Sequence, residues 1–146
     1  MIDETQALEG FGSGVICSML VFGELATELG LDEKTARRIA SCFGSGMEHA
    51  GVCGCVTGAY MALGLKYGVG GPGEAERAAK LKEKKDEFDR RFIKKYGSVN
   101  CKELLGGLDP AVQSELNAAA GAGLFKSVCA PAVCYACAAA RELLSE

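Results

Sequence analysis

The stretch Cys53-Gly54-Cys55-Val56-Thr57-Gly58-Ala59-Tyr60-Met61-Ala62-Leu63-Gly64-Leu65-Lys66-Tyr67, closed by Gly68, decides how this chain folds. It is apolar and rich in small residues, and it lacks the alternation of a strand. A glycine follows its last periodic residue, as at many helix ends. It predicts a helix over Val52–Tyr67. Gly54, Gly58 and Ala62 recur every fourth residue, so they share one face. With no side chain or only a methyl on that face, a second helix can pack closely there.

Helical signals continue in both directions. A first segment, Asp3–Glu9, is expected to end in Gly10-Phe11-Gly12-Ser13-Gly14. A second runs over Val15–Leu29 and stops at Gly30. A third opens near Asp32, with Glu33 in its first turn, and runs to Phe43; Ala36, Ile39, Ala40 and Phe43 share its apolar face. The loop Gly44–Gly51 separates it from the central helix.

Beyond the break at Gly70-Gly71-Pro72-Gly73 comes a charged helix, Glu74–Tyr96, with a narrow stripe of Ala78, Leu81, Phe88, Phe92 and Tyr96. Glu76/Lys80, Asp86/Arg90 and Glu87/Arg91 are acid-first pairs four residues apart. It reads as a solvated helix docked along one edge, with a partner-docking surface as the alternative. Asn100-Cys101-Lys102-Glu103 reads as a capping box opening a short helix to Leu105. Asp109-Pro110 is expected to open another. Cys129-Ala130-Pro131 leads into a final helix over Pro131–Ser145. The expected fold class is all-α: one compact multi-helix bundle over residues 1–146, with a long charged helix and Gly-rich turns.

Composition narrows the function. The net charge is −3, so no basic field draws nucleic acid. The polar, acidic start does not read as a secretory signal. Lys126, Gly121, Gly123 and Pro131 interrupt the long apolar stretch 117–140, which reads as buried helix rather than as a membrane span. A cytoplasmic location is expected.

Cysteine is the outlier. Eight in 146 residues, about 5%, fall short of the ~8–10% that marks a disulfide scaffold. In a reducing compartment such cysteines point to metal binding or redox chemistry. Cys17, Cys53, Cys101 and Cys129 fall at or near expected helix starts. There, free N–H groups and the helix dipole lower a thiol pKa and suit an anionic cluster of thiolates and metal. Cys42 ends the third helix, Cys55 follows Cys53 by two residues, and Cys134 and Cys137 stand one turn apart on the last helix. For each cysteine a passive place in the core is the competing reading.

These residues resemble a known family. Cys53-Gly54-Cys55-Val56-Thr57-Gly58-Ala59 with Met61–Gly68, Gly44–Met47, Glu28–Asp32, Cys101–Leu105 and Cys129 in its Ala-rich setting are similar to the redox-active family named for its C-GCAxxG-C-C pattern. The likeness spans about Gly10 to Leu144. It maps the family's cysteines onto Cys17, Cys53, Cys101 and Cys129, with Cys134 as rival for the last. The pattern has Ala where this chain has Cys55, and usually Gln where it has Met19; Cys42, Cys134 and Cys137 look like additions. The resemblance implies redox activity. A similar domain in split-Soret cytochromes is associated with an iron–sulfur centre, so an iron–sulfur cluster is the expected cofactor.

Other motifs fail. There is no P-loop, no strand precedes Gly10–Gly14 to make a dinucleotide site, and Ala138 stands where a c-type haem motif needs histidine. Cys134-Tyr135-Ala136-Cys137 lacks the βαβ setting of a thioredoxin pair. With a single histidine a His-based metal site is ruled out; His49 reads as an exposed loop residue or as a neighbour tuning Cys53.

Three functions follow as expectations. The first is electron transfer through an iron–sulfur cluster. Its ligands would be Cys17, Cys53, Cys101 and Cys129, with Cys42, Cys55, Cys134 and Cys137 as further thiols. Gly46, Gly51 and Gly54 would bring backbone N–H groups to the sulfurs. The second is a thiol–disulfide oxidoreductase, with Cys53 as attacking thiolate and Cys55, Cys42 or Cys17 as the resolving partner. The third is a structural metal-binding or interaction module holding zinc. A redox partner protein is expected, and the Gly- and Ala-rich helix faces suit a homodimer.

Overall fold

A computed structural model describes residues 1–146. The chain folds into α1 (Glu4–Gly12), α2 (Cys17–Glu28), α3 (Glu33–Ala40), α4 (Gly54–Tyr67), α5 (Ala75–Tyr96), α6 (Cys101–Leu104), α7 (Gln113–Gly121) and α8 (Ala130–Leu144). Wide turns at Gly46–Ala50 and Phe125–Cys129 complete it. The single β feature is a bridge between Val52 and Asn100. The fold is all-α, as the periodicity predicts.

The small-residue face of α4 does what its spacing implies. A Cβ at Gly58 would stand 3.0 Å from the Ser18 carbonyl oxygen and from Val21 Cβ, both on α2. α2 and α4 therefore cross nearly backbone to backbone and form the centre of the bundle. α3 and α8 pack on α2, and α5 spans α4 and α8. Val21, Leu25, Val56, Leu63, Phe88, Phe92, Val133 and Leu143 are fully buried between them. Burying such side chains contributes roughly 1.5–3 kcal/mol each.

Several local expectations are corrected. α1 runs a turn further than the glycines suggest, to Gly12. α3 is shorter than expected and ends at Ala40; Ile39 is 52% exposed, so only Ala36 and Ala40 face the core. Asn100 caps α6 without a side-chain hydrogen bond, so no capping box forms. Asp109 accepts from the Ala111 N–H in a turn, and the following helix starts only at Gln113. The stretch 117–140 is not one helix but α7, a wide turn and α8. Residues 125–144 are long and apolar enough to cross a membrane, and half of them are buried within the fold.

On α5, Glu87 and Arg91 pair as expected, 3.0 Å apart. Asp86 instead takes Lys82 at 2.6 Å, Arg90 takes Glu87 at 2.7 Å, and Lys80 lies over the Tyr67 ring. Each cation takes the partner its rotamer reaches at least cost in water.

Candidate redox site

One end of the bundle gathers sulfur from four separate parts of the chain. Cys17 opens α2, Cys53 immediately precedes α4, Cys101 opens α6, and Cys129 ends the wide turn before α8. Backbone hydrogen bonds set two of them side by side. The Cys53 N–H donates to the Val99 carbonyl at 2.7 Å, and the Cys101 N–H donates to the Gly51 carbonyl at 2.8 Å. These bonds flank the Val52–Asn100 bridge, so the residue after each bridge partner is a cysteine.

Cys17, Cys101 and Cys129 line a cavity of about 280 Å³. Its walls are mostly apolar: Phe11, Ile16, Leu105, Pro110, Leu116 and Phe125. Cys53 and Cys55 are buried behind Cys17. Gly54 permits this arrangement: a Cβ there would collide with Cys17 Sγ and stand 3.0 Å from the Ser18 nitrogen and 3.2 Å from the Phe43 oxygen.

The thiols are electrostatically unequal. Cys17 is held well below the ordinary thiol range, chiefly by interaction with the Cys53 thiol and then with that of Cys55. The backbone N–H groups of Ser18 and Ser45 assist, against the cost of burial. Cys53 and Cys55 are pushed up, first by the neighbouring Cys17 sulfur; the Cys53 thiol comes next for Cys55, and burial raises both. Cys101 and Cys129 are pushed up to about 12, mainly by burial, with the Cys17 charge adding to it. Cys17 is thus the most acidic of the gathered thiols, and its neighbours are all pushed the other way.

This overturns the expectation that every cysteine at a helix start is acidified. α6 has only four residues and a correspondingly weak end field. Cys129 has helical backbone angles, φ −66° and ψ −47°, inside a continuous turn-to-helix run, so it meets no free helix end. Burial decides the sign for both.

The Ser45 N–H comes from an unusual turn. Ser45, Gly46, Met47 and Glu48 all have positive φ, between 53° and 63°, and Ala50 follows at 56°. Left-handed backbone costs non-glycine residues roughly 1–2 kcal/mol each, and such strain concentrates at functional sites. Here it brings the Ser45 N–H to the Cys17 sulfur. Gly46 and Gly51 act differently from expectation. The Gly51 N–H donates to the Gly46 carbonyl at 2.9 Å, and the two glycines pack backbone to backbone, closing the turn. The Gly51 N–H is thereby spent on the turn.

Ser45 and the cavity walls are residues that spacing alone does not single out. So is Tyr96, whose phenol is raised to about 12 by burial and then by Cys55. Their only sequence signal is membership of a Gly-rich loop or of an apolar stripe.

The remaining cysteines lie elsewhere. Cys42 is exposed after α3. Cys134 and Cys137 sit on α8; Cys134 feels Glu4 and Asp3, and Cys137 feels Glu24 and Arg141. Of the two rivals for the family's last cysteine, Cys129 lines the cavity and Cys134 does not. His49 is exposed. No three His, Cys, Asp or Glu side chains converge closely enough to hold a single ion.

Searches of curated proteins and of solved structures return no match. Neither search shows a likeness to split-Soret cytochromes. A family model does match, over residues 15–143, and its description is "Putative redox-active protein (C_GCAxxG_C_C)". The matched span runs from just before Cys17 to the end of α8, and on that ground the chain belongs to the C_GCAxxG_C_C family.

Proposed function

We propose that this protein transfers electrons through an iron–sulfur cluster seated in the cavity at the end of the bundle. The observation that carries this reading is the 280 Å³ space lined by Cys17, Cys101 and Cys129, with Cys53 directly behind Cys17. Soft thiolates select iron–sulfur clusters. Thiols facing a shared space suit a cluster, which spreads its ligands over several corners.

When bound, the cluster supplies one-electron chemistry. The residues of this chain hold and tune it. Cys17 gives up its proton on ligation more readily than Cys53, Cys101 and Cys129, whose thiols are pushed up. The N–H groups of Ser18 and Ser45 donate to the Cys17 sulfur and raise the potential. Phe11, Ile16 and Phe125 keep water away from the sulfurs. A redox protein partner completes the transfer.

The test is anaerobic reconstitution with iron and sulfide. The expected result is stoichiometric iron and sulfide with visible charge-transfer absorbance, lost in Cys17→Ser and Cys101→Ser. A colourless protein that takes up neither element overturns the reading.

A second reading has its own support in the mutual contact of Cys17, Cys53 and Cys55. In thiol–disulfide exchange, Cys17 rather than Cys53 is the attacking thiolate. It attacks one sulfur of a substrate disulfide, forms a mixed disulfide and releases the other sulfur as thiolate. Cys53 or Cys55 then loses its proton and attacks Cys17 Sγ, which releases the substrate's second thiolate. Two electrons pass from the dithiol to the substrate. Loss of two thiols per oxidation without bound metal supports this reading; an unchanged count rejects it.

A further inference from the structure

Residues 106–124 pack only lightly on the bundle, through buried Pro110 and Ala119. α7 makes no extensive contact with any other helix. Of its residues only Ala119 is buried. Leu116 on this helix and Pro110 before it line the thiol cavity, so the segment forms one wall of the site without belonging to the core. At one end stand Gly106 and Gly107, with φ 70° and 97°; at the other stands Gly123, with φ 72°. A Cβ at any of the three would meet nothing. Their glycines therefore answer to backbone conformation and not to crowding. Glycines that take φ of either sign on both flanks of a weakly packed helix have the character of a hinge pair.

We propose that residues 106–124 are a lid over the thiol cavity, hinged at Gly106–Gly107 and at Gly123, and that its opening admits reagents to Cys101 and Cys129. This rests on that cavity being the working site, but it concerns access and not the bound group. Leu116 and Pro110 hold the lid shut by apolar contact with the cavity. Lid opening is a local event of low free energy, distinct from unfolding of α2, α4 and α8.

The test uses the reduced, metal-free full chain, so its outcome does not depend on whether a cluster binds. Thiol alkylation is followed at one pH, residue by residue, by mass spectrometry of peptides. Cys137, fully buried in the core and outside the cavity lining, reports global unfolding. Cys101 and Cys129 are expected to label faster than Cys137. Leu116→Ala should speed their labelling about tenfold with no change at Cys137. Leu116→Met should restore the parent rate, and Gly123→Ala, which strains the closed state, should again accelerate it. Amide exchange across 113–121 should outpace that across 54–67. If Cys101 and Cys129 label only as fast as Cys137, or if Leu116→Ala accelerates all three together, α7 is part of the cooperative core and there is no lid.

Discussion

Two groups of cysteines share this molecule and differ in almost everything but their chemistry. Cys17, Cys53, Cys55, Cys101 and Cys129 meet at one end of the bundle, where a strained turn, a backbone bridge and a glycine without side chain keep their sulfurs in one neighbourhood. Cys134 and Cys137 stand one turn apart on α8, close in sequence and looking like a redox pair. Yet Cys137 is packed among core side chains and does not line the thiol cavity. A short spacing does not make a site. What makes one is convergence from distant parts of the chain, and the fold pays for it in strain.

The largest effect is expected from exchanging single thiols between the groups. Cys17→Ser should abolish cluster loading, or exchange activity, by more than a hundredfold, roughly the upper cost of losing a metal-site partner. Cys42→Ser and Cys134→Ser should leave it within about twofold, since neither side chain reaches the cavity. Iron content and redox titration read both outcomes. Full activity in Cys17→Ser would erase the distinction between the groups.

Gly54 tests the crowding that keeps Cys17 in place. Gly54→Ala should cost about 2–3 kcal/mol, because its methyl meets Cys17 Sγ and the α2 backbone and neither can yield freely. On the same helix Gly64 has open space around it, and Gly64→Ala should stabilise by about 0.5–1 kcal/mol through helix propensity. Denaturant midpoints on the pair check the contrast.

Alkali acts across both groups, because burial pushes Cys137 up to about 12 as it does Cys101 and Cys129. Cys101 and Cys129 have folded pKa values near 12 against an ordinary value of 9.0. Their contribution to stability is fully present below pH 9 and is lost as pH rises towards 12. Cys17 has the opposite sign: its lowered pKa adds stability above the ordinary thiol value, which is lost as pH falls through the folded value. The metal-free protein should therefore weaken between pH 9 and 12, and Cys129→Ser should flatten that decline in a thermal melt. On a rising pH titration read by thiolate absorbance, Cys17 should deprotonate before Cys53, Cys55, Cys101 and Cys129.

An effect similar in size to that of Gly64→Ala is expected at the strained turn. Met47 is 41% exposed with φ 58°. Met47→Gly should raise stability by about 1 kcal/mol by relieving left-handed strain. If instead it lowers stability, Met47 contributes packing that outweighs the backbone cost.

Much of this was legible in the residues themselves. Local apolar periodicity and glycine punctuation marked the helices, because helix formation is governed within a few residues. The recurrence of Gly54 and Gly58 announced a close helix crossing, since an absent side chain carries that information wherever its neighbour comes from. The cysteine pattern also marked the family. Which thiols meet, however, belongs to the tertiary structure. Cys17 and Cys129 are separated by most of the chain, and only the packing of α2 against α4 and α8 brings them to one cavity. The same holds for charge. A helix start suggested acidified sulfur at four positions, but burial and neighbouring sulfur, which exist only in the folded state, left Cys17 alone with a lowered pKa.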